Sequence, residues 1–232
     1  MTDFPLDELL VWYLVFVFST TLHEAAHSLV AHVGGDSTAY EGGQVTLDPV
    51  PHIRREPVGM VLVPLVSFVF SGWMLGWASA PYNPYWGARY PRRRALMSLA
   101  GPGANLLLAL IAFVTVRLLI GAGVLEFAPQ GGLAKLFVVT GQDGYASPLG
   151  ALAMVLSVML TLNVLLGIFN LLPVPPLDGA SVAEGAAPST LGPFYERLRS
   201  VPAMGLLGLL LAWWLFPYVG LPVLYAVLRA LA

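Results

Sequence analysis

Residues 9–27 read LLVWYLVFVFSTTLHEAAH, and their reading decides the fold. From Leu9 to Thr21 there is no charge, and the apolar run continues to about residue 33. As a helix that run is long enough to cross a hydrocarbon core of about 30 Å. Residues four apart on a helix stand one turn up on nearly the same face, so His23 and His27 can reach one metal ion. Glu24 then points beside the ion, where a carboxylate can polarise a water and pass its proton to a leaving group. Ionisable groups at membrane depth are costly and mark a functional site by default. A structural polar cluster or a proton relay is the competing reading of the same three residues. Two histidines leave a catalytic zinc one protein ligand short, so a third has to come from elsewhere in the chain.

Composition supports the membrane setting. Of 232 residues, 57% are hydrophobic and 10% charged, against about 25% charged in a soluble domain. The formal net charge of -2 gives no footing for nucleic acid or for a polybasic anchor. With no cysteine, any metal has to be held by His, Asp or Glu. The amino end is acidic (Asp3, Asp7, Glu8) and lacks the basic region of a cleaved signal.

Apolar segments fall at about 9–33, 57–80, 95–120, 148–172 and 203–231, with no internal repeat. They imply an all-α membrane protein: a polytopic helical bundle in one domain over 1–232, with a core at about 9–187 and a carboxy-terminal membrane segment at about 203–231. Between the first two segments, Gln44-Val45-Thr46-Leu47 alternates apolar and polar and reads as a short strand, a β element near the site. His52 and His32 read as solvated or satisfied residues, not ligands. Segment 57–80 is interrupted by Pro64, Gly72 and Gly76 and flanked by arginines on both sides, which reads as a re-entrant hairpin.

Charge arithmetic sets the expected orientation. With the amino terminus outside and 57–80 re-entrant, Arg54, Arg55, Arg89, Arg92, Arg93, Arg94, Arg197 and Arg199 are cytoplasmic, eight of the eleven basic residues. If 57–80 spans with the amino terminus inside, the split is six against five and there is no bias.

The third segment opens with Ala100-Gly101-Pro102-Gly103-Ala104-Asn105, where small residues allow close helix approach. Asn105 reads equally as an interhelical hydrogen bond or as a group that orients substrate. The fourth ends in Asn170-Leu171-Leu172-Pro173-Val174-Pro175-Pro176-Leu177-Asp178-Gly179. Three prolines in four residues break the helix, and broken backbone at membrane depth is tolerated where it lines a protein-buried or watery cavity. On local sequence Asp178 is a helix N-cap. In the favoured topology, however, the first and fourth segments both run inward and bring Asp178 to the side of His23 and His27. That arrangement favours a His-His-Asp site over the N-cap reading. Ser181 to Ser200 reads as a polar linker, and the final segment, with Pro217, Gly220 and Pro222, as a kinked helix or a helix plus an interfacial piece bearing Trp213, Trp214 and Tyr218 as anchors.

HEAAH at 23–27, AGPGAN at 100–105 and NLLPVPPLDG at 170–179, in this order and inside apolar segments, make the chain resemble the site-2 protease family of intramembrane zinc metalloproteases. The resemblance implies one Zn2+ per chain on His23, His27 and Asp178, with Glu24 as general base. It also implies substrate positioning by Asn170 and docking of unwound substrate on the Gln44-Val45-Thr46 strand and the extended stretch Ser79 to Pro84. The family often follows LDG with a glycine and a basic residue, where this chain has Ala180-Ser181, and no PDZ-like or CBS-like domain is expected. The implied activity is endoproteolysis of membrane-spanning substrates near the cytoplasmic side, in regulated intramembrane proteolysis. The implied setting is the bilayer of a prokaryotic inner membrane, with a regulatory membrane partner as a further candidate. A metal or proton transporter and a non-catalytic membrane-partner binder are the alternatives. Transporters carry repeat symmetry that is not found here, and a pure binder has no use for Glu24.

Overall fold

The computed structural model describes residues 5–128, 132–142 and 144–232; Asp3 of the acidic amino end lies outside them. Among these residues four helices are long and apolar enough to cross a membrane: α1 (Leu6–Val33), α6 (Pro91–Gly121), α7 (Pro148–Asn170) and α10 (Met204–Leu231). Between them come α2 (Thr38–Glu41), α3 (Pro49–Arg55), a π turn (Val58–Leu62) leading into α4 (Val63–Ser71), and α5 (Pro84–Arg89). The strands β1 (Leu125–Phe127) and β2 (Phe137–Val139) precede α7, and α8 (Asp178–Ala186) and α9 (Pro188–Arg199) follow it. Starts are written in the sequence. Pro148 stands in the first turn of α7, where no N–H is needed, and Ser147 caps it by accepting from the Gly150 amide at 3.0 Å.

Each long helix matches an expected apolar segment to within a few residues. The final segment is one continuous helix despite Pro217 and Pro222. The region expected as a polar linker, Ser181 to Ser200, is instead mostly helical, in α8 and α9. Packing decides this: Gly185 of α8 approaches α6 so closely that a Cβ would strike Ala95.

The segment after α3 is a hairpin. The run Val58–Ser71 is 14 residues, about 21 Å of rise and too short to cross. Gly72 then adopts a left-handed conformation (φ +73), and the chain returns without regular structure to residue 83. The Trp77 amide donates to Gly59 O at 3.1 Å, so the two limbs lie against each other. Asp36 ties the return limb to the end of α1, accepting from the Asn83 amide at 2.7 Å. Burial alone would raise the Asp36 carboxyl; hydrogen bonds from Thr38 and Asn83 hold it below its ordinary range.

The expected strand at 44–47 does not form: Gln44 has no regular structure and residues 45–47 make bends. Local hydrogen bonds win over extension there. Gly43 sits at φ +71, Thr46 Oγ1 accepts from the Asp48 amide at 3.0 Å, and Asp48 caps α3 through the Val50 amide at 2.9 Å. The β element lies elsewhere, as the antiparallel pair Leu125↔Val139 and Phe127↔Phe137. It follows the end of α6, about 24 Å of helix rise beyond Asn105. It is at the far end of the bundle from the site, which overturns the expectation of a strand beside it. The amino end of α1 meets it there, with Glu8 and Lys135 paired at 2.7 Å.

α7 is the central helix, with 67% of its apolar window buried against 22% for α10. One core joins Trp12 and Phe16 of α1, Phe68 and Met74 of the hairpin, and Val158 and Leu162 of α7. Another joins Ala112 and Val116 of α6, Leu160 and Val164 of α7, Phe137 of β2, and Phe216 and Leu224 of α10. The outward faces of α6 and α10 stay apolar, as lipid-facing surfaces do.

Candidate metal centre

Three side chains from two distant parts of the chain converge between α1 and α8. His23 and His27 come from α1, about 15 and 9 Å of helix rise before its end. Their Nε2 atoms stand 2.9 Å apart. Asp178 is the first residue of α8, where it makes no cap hydrogen bond, and its Oδ2 lies 3.3 Å from His23 Nε2 and 3.2 Å from His27 Nε2. The N-cap reading of Asp178 therefore fails; Leu177 holds that position.

The triangle fits a metal. Two ligand atoms each about 2 Å from a tetrahedral zinc stand about 3.3 Å apart. The observed edges of 2.9, 3.2 and 3.3 Å are close to that. The donors are also correctly disposed. His27 Nδ1 faces the Met97 carbonyl at 2.7 Å, which only accepts, so Nδ1 carries the hydrogen and Nε2 keeps its lone pair. His23 Nδ1 faces Asn105 Oδ1 at 2.5 Å, with the same consequence. No other cluster of this kind occurs among the described residues.

Close approach of α6 closes the site from behind. A Cβ on Gly101 would run into the Nε2 atoms of both histidines, so only glycine fits. Glu24 is buried and makes no hydrogen bond among the described residues. Its carboxylate is thus uncommitted, one residue along α1 from His23. The break at 172–177 is held by a Val174–Leu172 amide-to-carbonyl bond of 2.8 Å, by a Leu177–Val174 one of 2.9 Å, and by the Tyr195 hydroxyl donating to Pro173 O at 2.9 Å. A cavity of about 340 Å3 adjoins it, lined by Pro175, Pro176, Leu177, Ala180, Ser181 and Tyr82 among others.

The remaining expected site residues are dispersed. Asn105 is fully buried and engaged with His23 rather than open to a ligand. Asn170 ends α7 and donates to its own Leu166 carbonyl at 3.0 Å. Gln44 is buried, and Val45 and Thr46 are half-buried in bends. His52 is buried with Nε2 on Thr46 O at 3.3 Å, and His32 stacks on Tyr40. Two positions that touch the site carry no signal of their own in the sequence. Gly101 reads as one small residue among several, and Asn163 of α7, which accepts from Asn105 Nδ2 at 2.8 Å, belongs to no motif with fixed spacing.

A family model described as Peptidase family M50 matches residues 11–212. The chain belongs to this family, that of the site-2 proteases. This M50 peptidase is 33% identical over 187 residues to a Bacillus subtilis protein named "Putative zinc metalloprotease YwhC", covering 80% of the chain and 73% of that relative. It is 31% identical over 144 residues to the Mycobacterium tuberculosis protein named "Putative zinc metalloprotease Rip2", covering 57% of the chain and 53% of that relative. A Mycolicibacterium smegmatis protein of the same name is 26% identical over 183 residues, 78% of the chain and 60% of its own length. No solved structure matches the chain. The M50 peptidase is thus an integral membrane hydrolase, in keeping with the four long apolar helices among the described residues.

Proposed function

We propose that this M50 peptidase is an intramembrane zinc endopeptidase that cuts a membrane-spanning protein near the cytoplasmic side, as a step of regulated intramembrane proteolysis. The observation that carries the reading is the ligand triangle of 2.9–3.3 Å with a free carboxylate beside it, inside a helical membrane bundle. One Zn2+ would be held by His23 Nε2, His27 Nε2 and Asp178 Oδ2. Bound there, zinc supplies a polarised scissile carbonyl and a water whose pKa is near 7.

The chain's own groups do the rest. The Glu24 carboxylate takes the proton of the attacking water and returns it to the departing amide nitrogen. The substrate helix has to unwind before its carbonyls are exposed. With no strand at 44–46, residues 79–83 of the hairpin's return limb are the proposed dock, since Tyr82 shares the cavity with Pro175, Pro176 and Leu177. Asn170, whose carboxamide oxygen is uncommitted among the described residues, stays a proposed substrate-positioning group. The proposed setting is a prokaryotic inner membrane with the amino terminus outside, and one catalytic domain to about residue 187 completed by α10.

The test is Glu24→Gln in proteoliposomes with a model membrane-spanning substrate. Cleavage is expected to fall by at least about 100-fold, the scale of a lost general base, with zinc content unchanged. Full cleavage by the variant removes Glu24 from the mechanism.

A further inference from the structure

His27 is held by a backbone carbonyl directly, but His23 is held by a side chain that could turn over. A carboxamide presents either an oxygen or an amine to its neighbour, and the two ends are alike in shape. If Asn105 showed its amine to His23 Nδ1, the imidazole hydrogen would be driven onto Nε2. The lone pair would then be lost from the ligand triangle. Something has to decide which way Asn105 faces.

That decision can be traced to the backbone of α7. Asn163 is fully buried, and its Nδ2 lies 2.9 Å from the Met159 carbonyl one turn earlier. A carbonyl oxygen only accepts, so this end of the Asn163 carboxamide is the amine. The same amine reaches Ser19 Oγ on α1 at 2.9 Å. The Asn163 oxygen therefore faces Asn105, at 2.8 Å from Nδ2, and obliges that end of Asn105 to be its amine. Asn105 Oδ1 is left to face His23 Nδ1, at 2.5 Å. Ser19 stands one turn before His23, so the chain starts and ends on α1 after passing through α7 and α6. Ser19, Asn163, Asn105 and His23 are all buried and Met159 is half-buried, so bulk water has little access to these bonds.

We propose that Asn163 is a positioning residue for His23: acting through Asn105, it relays the direction of the Met159 carbonyl and keeps the His23 Nε2 lone pair aimed at the metal. The proposal rests on the zinc reading above. Replacing Asn163 by leucine keeps the side-chain volume close and removes the relay, so Asn105 can turn over. Loss of such outer partners of a ligand costs about 10–100-fold in metal affinity.

The experiment is a double-mutant cycle read as zinc affinity, by competition with a chelator in detergent-solubilised protein. The proteins are the parent, Asn163→Leu, Asn105→Leu, the double variant, and His23→Ala as a control. Asn163→Leu is expected to bind zinc about 10-fold more weakly. The double variant is expected to match Asn105→Leu alone, because Asn163 has nothing to act through once Asn105 is gone. Parent-like affinity in Asn163→Leu overturns the proposal, and so does a double variant weakened by the product of the two single effects, which marks a general packing role. If Asn163→Leu does not yield folded protein, Asn163→Ser carries the same expectation, and parent-like zinc binding by it is equally fatal. Zinc binding that is absent in the parent or indifferent to His23→Ala overturns the zinc reading itself, and this proposal with it.

Discussion

Gly101 and Gly103 are two residues apart on α6, and the structure separates them completely. A methyl group on Gly101 meets the imidazoles of both His23 and His27, whereas one on Gly103 meets nothing within 4 Å. Gly101→Ala therefore has to push the histidines or part α1 from α6. Displacements of about 1 Å at a reacting centre cost about 100-fold in rate. Cleavage of a model membrane substrate is expected to fall by about that factor in Gly101→Ala and to stay at the parent level in Gly103→Ala. Equal activity in the two variants would show that the close approach is not needed. The two glycines cannot be told apart in the string AGPGAN, because which one faces α1 depends on helix phase. The meeting of His23 and His27 was legible because four-residue spacing has one geometric meaning on a helix. The approach of Asp178 to them follows once the ends of the first and fourth segments are placed on one side. Asn105 carries two readings in the sequence because the side chain it bonds lies 82 residues away.

At the scale of elements, the helix that carries Asp178 has to be held against α6, and two features do so. Gly185 lets the backbones meet, and Glu184 pairs with Arg94 of α6 and, at 2.8 Å, with Arg199 of α9. Glu184 and Arg94 are both buried. Burial alone would raise the Glu184 carboxyl, but hydrogen bonds and charge from Arg94 and Arg199 hold it below its ordinary value of 4.5. A depressed carboxylate pKa stabilises the fold above the unfolded value and loses that contribution as pH falls through the folded one. Glu184→Gln leaves Arg94 buried without its partner, at a cost of about 3 kcal/mol. Thermal unfolding in detergent should then show the parent ahead of Glu184→Gln by a constant margin near pH 7. The margin should shrink below about pH 4.5. A margin that widens on acidification contradicts the assignment. This clamp was hidden in the sequence: the glutamate and arginine lie 90 positions apart, and Ser181 to Ser200 has the glycines and prolines of a linker. The misplaced strand has a similar cause. The alternation at 44–47 was real, but it had no partner edge, and Thr46 and Asp48 offered the backbone nearer partners.

The whole molecule was the most legible scale, because a bilayer admits few solutions. Backbone polar groups have to be satisfied within the segment, so every long apolar run became a helix. The one apolar segment too interrupted to span became a hairpin. The direction of insertion follows from a different quantity, the distribution of arginine, and can be tested apart from any catalysis. The chain has no cysteine, so single cysteines can be placed without background. Val50, Tyr85, Ser189 and Glu126 are all exposed. Val50 and Tyr85 flank the hairpin, Ser189 opens α9, and Glu126 sits on β1 at the other end of the bundle. With the amino terminus outside, a membrane-impermeant maleimide added to intact cells should label Glu126→Cys. It should label Val50→Cys, Tyr85→Cys and Ser189→Cys only after the membrane is opened. The opposite pattern would invert the protein and place the metal triangle toward the outer face. Labelling of Val50→Cys and Tyr85→Cys from different sides would mean that residues 58–83 cross. α1 and α7 would then point in opposite directions, and the triangle of His23, His27 and Asp178 could not close.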